Sequence, residues 1–268
     1  MEQRRTWGLS LLFRPEPRKQ RDCPRVRPGL NIKTHKNRPL VRSLVRSRSD
    51  IRLSLWEMPM HEKERVKKIL EFLKQEYPDA GTRLHFSNRL ELLVAVVLSA
   101  QSTDEQVNKV TPELFSRFNS AQELAAMDLE ELEELIRGVG LYKNKARHIK
   151  GLAEKIAADY DGEMPGTFEE LLKLPGVGRK SANVMLSVGF DQPGLGVDTH
   201  VKRVTRRLGI TSGKTSTQIE KDLKRIIPIS LWSDSHHLLI AHGRTVCQAR
   251  KPRCGNCILA ALCHRCEE

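Results

Sequence analysis

Lys180 and Asp198 are the residues of this chain whose types and setting could do chemistry. Lys180 lies in Leu174-Pro-Gly-Val-Gly-Arg-Lys-Ser-Ala-Asn183, and Asp198 follows eighteen residues later in Val197-Asp-Thr-His200. A Pro and two Gly are costly inside a helix, yet both flanks have helical character. Upstream, Thr167 offers an N-cap with Glu170 three residues on. Downstream, Ala182, Met185, Leu186 and Gly189 fall at helical spacing. The stretch reads as helix, tight glycine hairpin, helix. Gly176 and Gly178 free the backbone to turn and leave amide N–H groups at the start of the second helix, an anion site for which phosphate is the obvious occupant. A neutral lysine amine beside it can attack C1′ of a deoxyribose and form a Schiff base, with a carboxylate to assist. The same residues also fit a surface turn with solvated cations. Gly-x-Gly alone is a weak signal, and the phosphate-loop pattern G-x-x-x-x-G-K-[ST] is not met.

Cys247, Cys254, Cys257 and Cys263 form the second group, spaced C-x6-C-x2-C-x5-C. Four thiolates close together suit zinc or an iron–sulfur cluster. An alternative zinc set pairs Cys254 and Cys257 with Cys263 and Cys266, but only five residues separate the pairs, against about fifteen to twenty in zinc sites of that kind. Five of the six Cys fall in the last 22 residues, which points to a metal site in a reducing compartment rather than a disulfide framework. Cys266 and Cys23 stand outside the four-cysteine pattern.

The elements that must position these groups are helical. His61 to Tyr77 carries Val66, Ile69, Leu70, Leu73 and Tyr77 on one face and stops before Pro78. Asn88 with Glu91 forms a capping box for an apolar helix through Leu98, followed by the polar loop Ser99-Ala-Gln-Ser-Thr-Asp104 with Thr103 as the next cap. Thr111-Pro112, Ser120, and Asp128 with Glu131 announce further short helices. A second Gly-Val-Gly, in Gly138-Val-Gly-Leu-Tyr142, echoes the central hairpin, so the chain contains a degenerate pair of helix-hairpin-helix units. The Leu141-Tyr142 tip would be odd in a loop left to water, and packing into the core is the commoner fate of such residues. Lys143 to Tyr160 reads as a helix with a basic face (Lys145, Arg147, Lys150). Lys202, Arg203, Arg206 and Arg207 crowd the short helix after Asp198, either as a solvated face or as contacts to a phosphate backbone. Helices from Ser216 to Ile227 and from Trp232 to Val246 complete an all-α fold.

Composition bounds the rest. The 268 residues carry a formal charge of +13 with 5% aromatic residues, the balance of a polyanion binder, although charge does not distinguish DNA from RNA. The longest apolar run, Leu92–Leu98, is too short to span a bilayer. Gly8-Leu-Ser-Leu-Leu-Phe13 falls short of a signal-peptide core and lacks a small-residue cleavage site. Residues 1–57 hold 15 Lys/Arg against 5 Asp/Glu, are broken by five Pro, and read as disordered. A DNA-tethering arm, an organelle presequence and a misassigned start before Met58 or Met60 all fit, and Glu2, Glu16 and Asp22 count against the presequence.

With these pieces in place, the hairpin with its Val-Asp-Thr-His resembles the helix-hairpin-helix DNA glycosylases, and most closely endonuclease III of the bacterial type. The C-x6-C-x2-C-x5-C spacing is similar throughout to the [4Fe–4S] loop of that family and is the most specific signal in the chain. The resemblance covers about residues 60–266 with the motifs in order. It implies a two-lobed fold: a six-helix domain over 82–192 carrying the hairpin, and a cluster domain from 58–81 with 193–268. It implies a bifunctional DNA glycosylase and abasic-site lyase acting on oxidised pyrimidines such as thymine glycol. Lys180 would be the nucleophile, and Asp198 would keep the amine neutral and steady the charge developing on the sugar. Gln101 would enter the duplex near the lesion, Leu141 would fill the gap left by the flipped base, and Gly176, Val177, Gly178 and His200 would contact DNA. Cys247, Cys254, Cys257 and Cys263 would hold one [4Fe–4S] cluster, ordering a loop whose Arg250, Lys251 and Arg253 meet the backbone. The implied partner is double-stranded DNA with damaged pyrimidines or abasic sites, bound by a monomer away from membranes. The setting would be cytoplasm or nucleoid in a prokaryote, nucleus or mitochondrion in a eukaryote. Ser181 stands where the family usually has Thr, which keeps a hydroxyl. Adenine- and thymine-mismatch glycosylases share much of this pattern but normally lack the lysine. A non-catalytic hairpin module would bind phosphate without needing Asp198.

Overall fold

The computed structural model describes residues 61–264, and these contain helices and turns but no strand. Residues 1–57 and Cys266 lie outside the described residues, and with them the readings of the basic arm and of the alternative zinc set. No helix of the described residues is long and apolar enough to cross a membrane.

Eleven helices follow in order among the described residues: α1 (Glu62–Glu76), α2 (Arg89–Leu98), α3 (Asp104–Phe115), α4 (Ala121–Ala126), α5 (Leu129–Leu135), α6 (Tyr142–Asp159), α7 (Phe168–Leu171), α8 (Arg179–Val184), α9 (Thr199–Arg207), α10 (Ser216–Ile226) and α11 (Trp232–Thr245). A π-turn, Met185–Gly189, extends α8, and short 3-10 turns sit at Ile229–Leu231, Cys254–Asn256 and Ala260–Leu262. The caps explain most starts. Asn88 accepts from the Glu91 N–H, and Glu91 answers through the Ser87 N–H rather than that of Asn88. Thr103 forms the full reciprocal box with Gln106, while Ser120 and Thr167 each cap with a single backbone bond. Asp128 holds the N-cap position of α5 without a side-chain hydrogen bond.

One start differs from expectation. Thr111-Pro112 opens no helix and lies inside α3. Thr111 is fully buried on the same face as Val107 and Leu114, so packing carries the helix through a proline that forgoes one backbone bond. The basic face of α6 is split: Arg147 is exposed, while the two lysines turn inward. Lys145 is buried and donates to the Leu98 carbonyl at the end of α2, and Lys150 donates to the Ala125 and Met127 carbonyls at the end of α4. Each cation closes the carbonyl end of a neighbouring helix, where the orphan acceptors and the helix dipole favour positive charge.

Apolar side chains collect into two cores. One runs from Leu84 to Leu186 and is centred on α2 and α6; the other joins Val66, Ile69, Leu70 and Leu73 of α1 to residues between Leu195 and Leu259. Polar contacts cross between them. Arg179 of α8 makes a two-pronged bond to the buried Glu220 of α10, at 3.1 and 2.8 Å, and Lys224 adds a third at 2.9 Å. Burial alone would raise the Glu220 carboxyl, but the hydrogen bonds and charges of Arg179 and Lys224 outweigh it and hold the group below its usual range. Arg244 of α11 reaches Asp104 at the start of α3, 2.9 Å away.

Candidate active site and cysteine loop

The hairpin between α7 and α8 is built around Gly176. Its φ of +78° is left-handed, and a Cβ there would sit 2.8 Å from the His148 Cβ of α6, so both conformation and space demand glycine. Gly178 differs from expectation. Its φ is −95° at the N-cap of α8, and a side chain would meet nothing within 4 Å. The turn does not need its freedom; its bareness leaves the helix start open to an approaching group. The Val177 side chain is buried in the first core and its N–H donates to the Leu174 carbonyl, so it holds the hairpin together from within.

Lys180 is the second residue of α8 and half-buried. Burial pushes its amine below the ordinary lysine value, Asp198 and Asp104 push it up, and Arg244 pushes it down. This corrects one expectation: a carboxylate favours the ammonium, so Asp198 does not keep Lys180 neutral. Desolvation is what shifts the amine toward its neutral form. Asp198 is itself the N-cap of α9, accepting from the Val201 N–H at 2.8 Å, which fixes the carboxylate at the helix start.

The segment that brings Asp198 beside α8 escapes a reading by motif, although Gly194-Leu-Gly196 marks it in the sequence. A Cβ at Gly194 would lie 2.1 Å from the Asn183 carbonyl oxygen, and one at Gly196 would lie 3.3 Å from that of Lys180. The backbone of 194–197 therefore runs against the helix that carries the lysine. Buried Asn183 pins it, its Oδ1 accepting from the Leu195 N–H and its Nδ2 donating to the Arg179 carbonyl. His236 of α11 backs the site. Its Nδ1 sits 2.7 Å from the Gly196 carbonyl, an acceptor that assigns the ring proton to Nδ1. Burial first, then the neighbouring His237 and Lys180 charges, push its pKa down to about 4. A neutral ring therefore lies behind the amine.

Gln101 and Leu141 are both exposed and both left-handed, at φ 57° and 59°. The structure brings their loops together: the Gly140 N–H donates to the Ser102 Oγ at 3.2 Å. Leu141 does not pack into the core; it is 57% exposed at the N-cap of α6. His200 is half-buried on α9, with its Nδ1 3.1 Å from Arg203 Nη2.

The α9 cations correct another expectation. Arg203 donates to the Gly243 and Cys247 carbonyls, Arg207 to those of Gln248 and Ala249, and Lys202 to that of Lys214. Arg203 and Arg207 thus tie α9 to the start of the cysteine loop, while Arg206 is exposed. The four cysteines of that loop are half-buried. Burial raises the Cys257 thiol to about 11, with Cys263, Cys247 and Cys254 each adding to the rise, so all four stand within electrostatic reach of one another. Arg207 Nη1 and His242 Nε2 each lie 3.7 Å from a thiol, that of Cys247 and of Cys257 respectively. Four soft thiol ligands, with N–H donors around them and one iron each to bind, fit an iron–sulfur cluster. Arg250, Lys251 and Arg253 are exposed on the same loop.

This fold and these sites define a class. Residues 94–228 match the model of the HhH-GPD superfamily base excision DNA repair proteins. Residues 247–263, which span the four cysteines, match the iron-sulfur binding domain of endonuclease III. Endonuclease III of Synechocystis sp. is 49% identical over 211 residues, 78% of this chain and 96% of that protein. Endonuclease III of Bacillus subtilis is 49% identical over 195 residues, 72% of this chain and 89% of its own length. A solved structure of a trapped endonuclease III–DNA covalent intermediate, an estranged-adenine complex, superposes with a TM-score of 0.73 at 47% identity, covering 76% of this chain and 97% of that one. The chain belongs to the endonuclease III family of helix-hairpin-helix DNA glycosylases. It is a base excision repair DNA glycosylase and abasic-site lyase whose cofactor is a [4Fe–4S] cluster.

Proposed function

We propose that the chain removes oxidised pyrimidines such as thymine glycol from duplex DNA and cleaves the strand through a lysine Schiff base. The observation that carries this reading is a half-buried lysine whose desolvation favours the neutral amine, placed on α8 beside a carboxylate fixed at the start of α9. In this reading the Lys180 amine attacks C1′, the C1′–N bond breaks, and the base leaves with the electron pair. Asp198 faces the positive charge that develops on the sugar and accepts the proton that Lys180 sheds. The nitrogen lone pair then opens the C1′–O4′ bond, O4′ leaving as a hydroxyl with the proton that Asp198 took up. The resulting iminium makes the C2′ proton acidic; its loss expels the 3′ phosphate by β-elimination. The Gly176–Gly178 edge of the hairpin holds a neighbouring phosphate, and Gln101 and Leu141 enter the duplex where the damaged base has left it.

The molecule divides, on this reading, into a lobe over 82–192 and a lobe from 58–81 with 193–268. The two apolar cores support that division, and the Asp104–Arg244 and Arg179–Glu220 contacts join the lobes around the site. Each of the four cysteines would hold one iron. The bound cluster supplies a crosslink that orders the loop presenting Arg250, Lys251 and Arg253 to the DNA backbone. The relative trapped on DNA as a covalent intermediate supports the nucleophile reading for this chain.

The test is release of thymine glycol from a duplex together with strand scission at an abasic site. Wild type performs both. Lys180→Gln loses both while retaining binding to the same duplex. Base release without scission would replace this reading with a monofunctional glycosylase.

A further inference from the structure

Gln101 and Leu141 pose a physical problem. Two non-glycine residues stand in the left-handed region at exposed tips, and such strained conformations persist only where surrounding structure dictates them. The surroundings here include a buried cation. Lys145 is 4% exposed, and its Nζ donates to the Leu98 carbonyl and to the Ser102 Oγ, both at 2.8 Å. Ser102 Oγ in turn accepts the Gly140 N–H. One hydroxyl, flanked in sequence by Gln101, therefore ties the residue before Leu141 to an amine one turn into α6. A Cβ at Gly140 would lie 3.5 Å from the Gln101 carbonyl oxygen, so the two loops run backbone to backbone.

Among the described residues no carboxylate pairs with Lys145, and a buried lysine so placed is a costly way to fill a core position. An apolar side chain would fill it at lower cost. The α2 carbonyl end offsets part of that cost, but what the lysine adds is a fixed geometry between two loops. We propose that Lys145 is a positioning residue which, through Ser102, locks the Gln101 and Leu141 tips into one rigid two-pronged wedge that enters the duplex as a unit. The inference rests on the reading of those two residues as duplex-entering. It goes beyond that reading in naming what sets their relation.

The wedge matters only where a paired base must be parted from its partner. The test uses the full chain with its cluster, and compares wild type with Lys145→Met and Ser102→Ala in single-turnover cleavage. One substrate carries thymine glycol opposite adenine in an intact duplex. The other carries a preformed abasic site facing a one-nucleotide gap, where nothing needs parting. Lys145→Met slows cleavage of the first about tenfold or more, the size expected when charge-assisted hydrogen bonds that position a group are removed, and leaves the second within about twofold. Ser102→Ala acts in the same direction and carries the test where Lys145→Met does not fold. A fluorescent adenine analogue opposite the lesion reports less unstacking with both variants. Equal slowing on the two substrates, or none on the first, overturns the proposal. Failure of wild type on both substrates would instead sink the glycosylase-lyase reading beneath it.

Discussion

Burial and two carboxylates pull the Lys180 amine in opposite directions, and burial wins. Rate should therefore rise with pH and level off above a pKa that lies below the ordinary 10.5 of lysine. Removing a carboxylate that favours the ammonium must lower that pKa further. Asp198→Asn should thus shift the acidic limb of the single-turnover pH profile to lower pH, and yet lower the plateau about a hundredfold, because the sugar cation and the departing proton lose their partner. If Asp198 served to keep the amine neutral, the limb would move to higher pH instead. The pair is legible in the sequence because the lysine sits in a hairpin that names itself by Pro and Gly, and the aspartate in a cap before a helix. The sign of their interaction is not legible there, since it depends on how deeply the amine is buried. Nor can His236 be picked out, because a histidine on an apolar helix shows no sign of the carbonyl it meets.

The hairpin and the helices around it hold that pair. Gly176→Ala places a Cβ within 2.8 Å of His148 at a left-handed φ and should cost about 1–3 kcal/mol in urea unfolding. Gly178→Ala meets no neighbour and should cost well under about 1 kcal/mol, the ordinary difference between glycine and alanine at an N-cap. Equal costs would show that the turn depends on both. Across the two cores, Glu220 is held below its normal carboxyl range by Arg179 and Lys224. Its contribution is therefore complete above the unfolded-state pKa and disappears as pH falls through the lower folded value. Glu220→Gln, which leaves two cations without their carboxylate, should cost about 2 kcal/mol at neutral pH. Melting curves for it and wild type should converge toward acid; a difference that stays constant with pH would contradict the pairing. Caps such as Asn88, Thr103, Ser120 and Thr167 can be read ahead of the structure because a cap is a local bond. Lys145, Lys150, Arg203 and Arg207 cannot, because helical spacing says which cations share a face but not which carbonyl from another element meets them. Thr111-Pro112 misleads for a related reason: its local signal for a helix start is overridden by burial of Thr111.

At the scale of the whole molecule, α9 is tied to the cysteine loop by Arg203 and Arg207, and the loop carries three exposed cations, Arg250, Lys251 and Arg253. Oxidative removal of the cluster, followed by the fading of its brown colour, should lower the melting temperature and weaken duplex binding. It should also flatten the dependence of log affinity on log salt by about 0.9 for each phosphate that the loop no longer neutralises. Unchanged salt dependence would place the loop away from DNA. Elements from both cores meet around the amine of Lys180, so the central claim is tested most directly there. The measurement is borohydride trapping on a thymine glycol duplex, wild type beside Lys180→Gln, with both proteins carrying the cluster. A lysine nucleophile predicts a protein–DNA adduct of one-to-one mass from wild type and none from the variant. A cluster-loaded wild type that binds the duplex and yields no adduct, or a variant that yields as much, would contradict it.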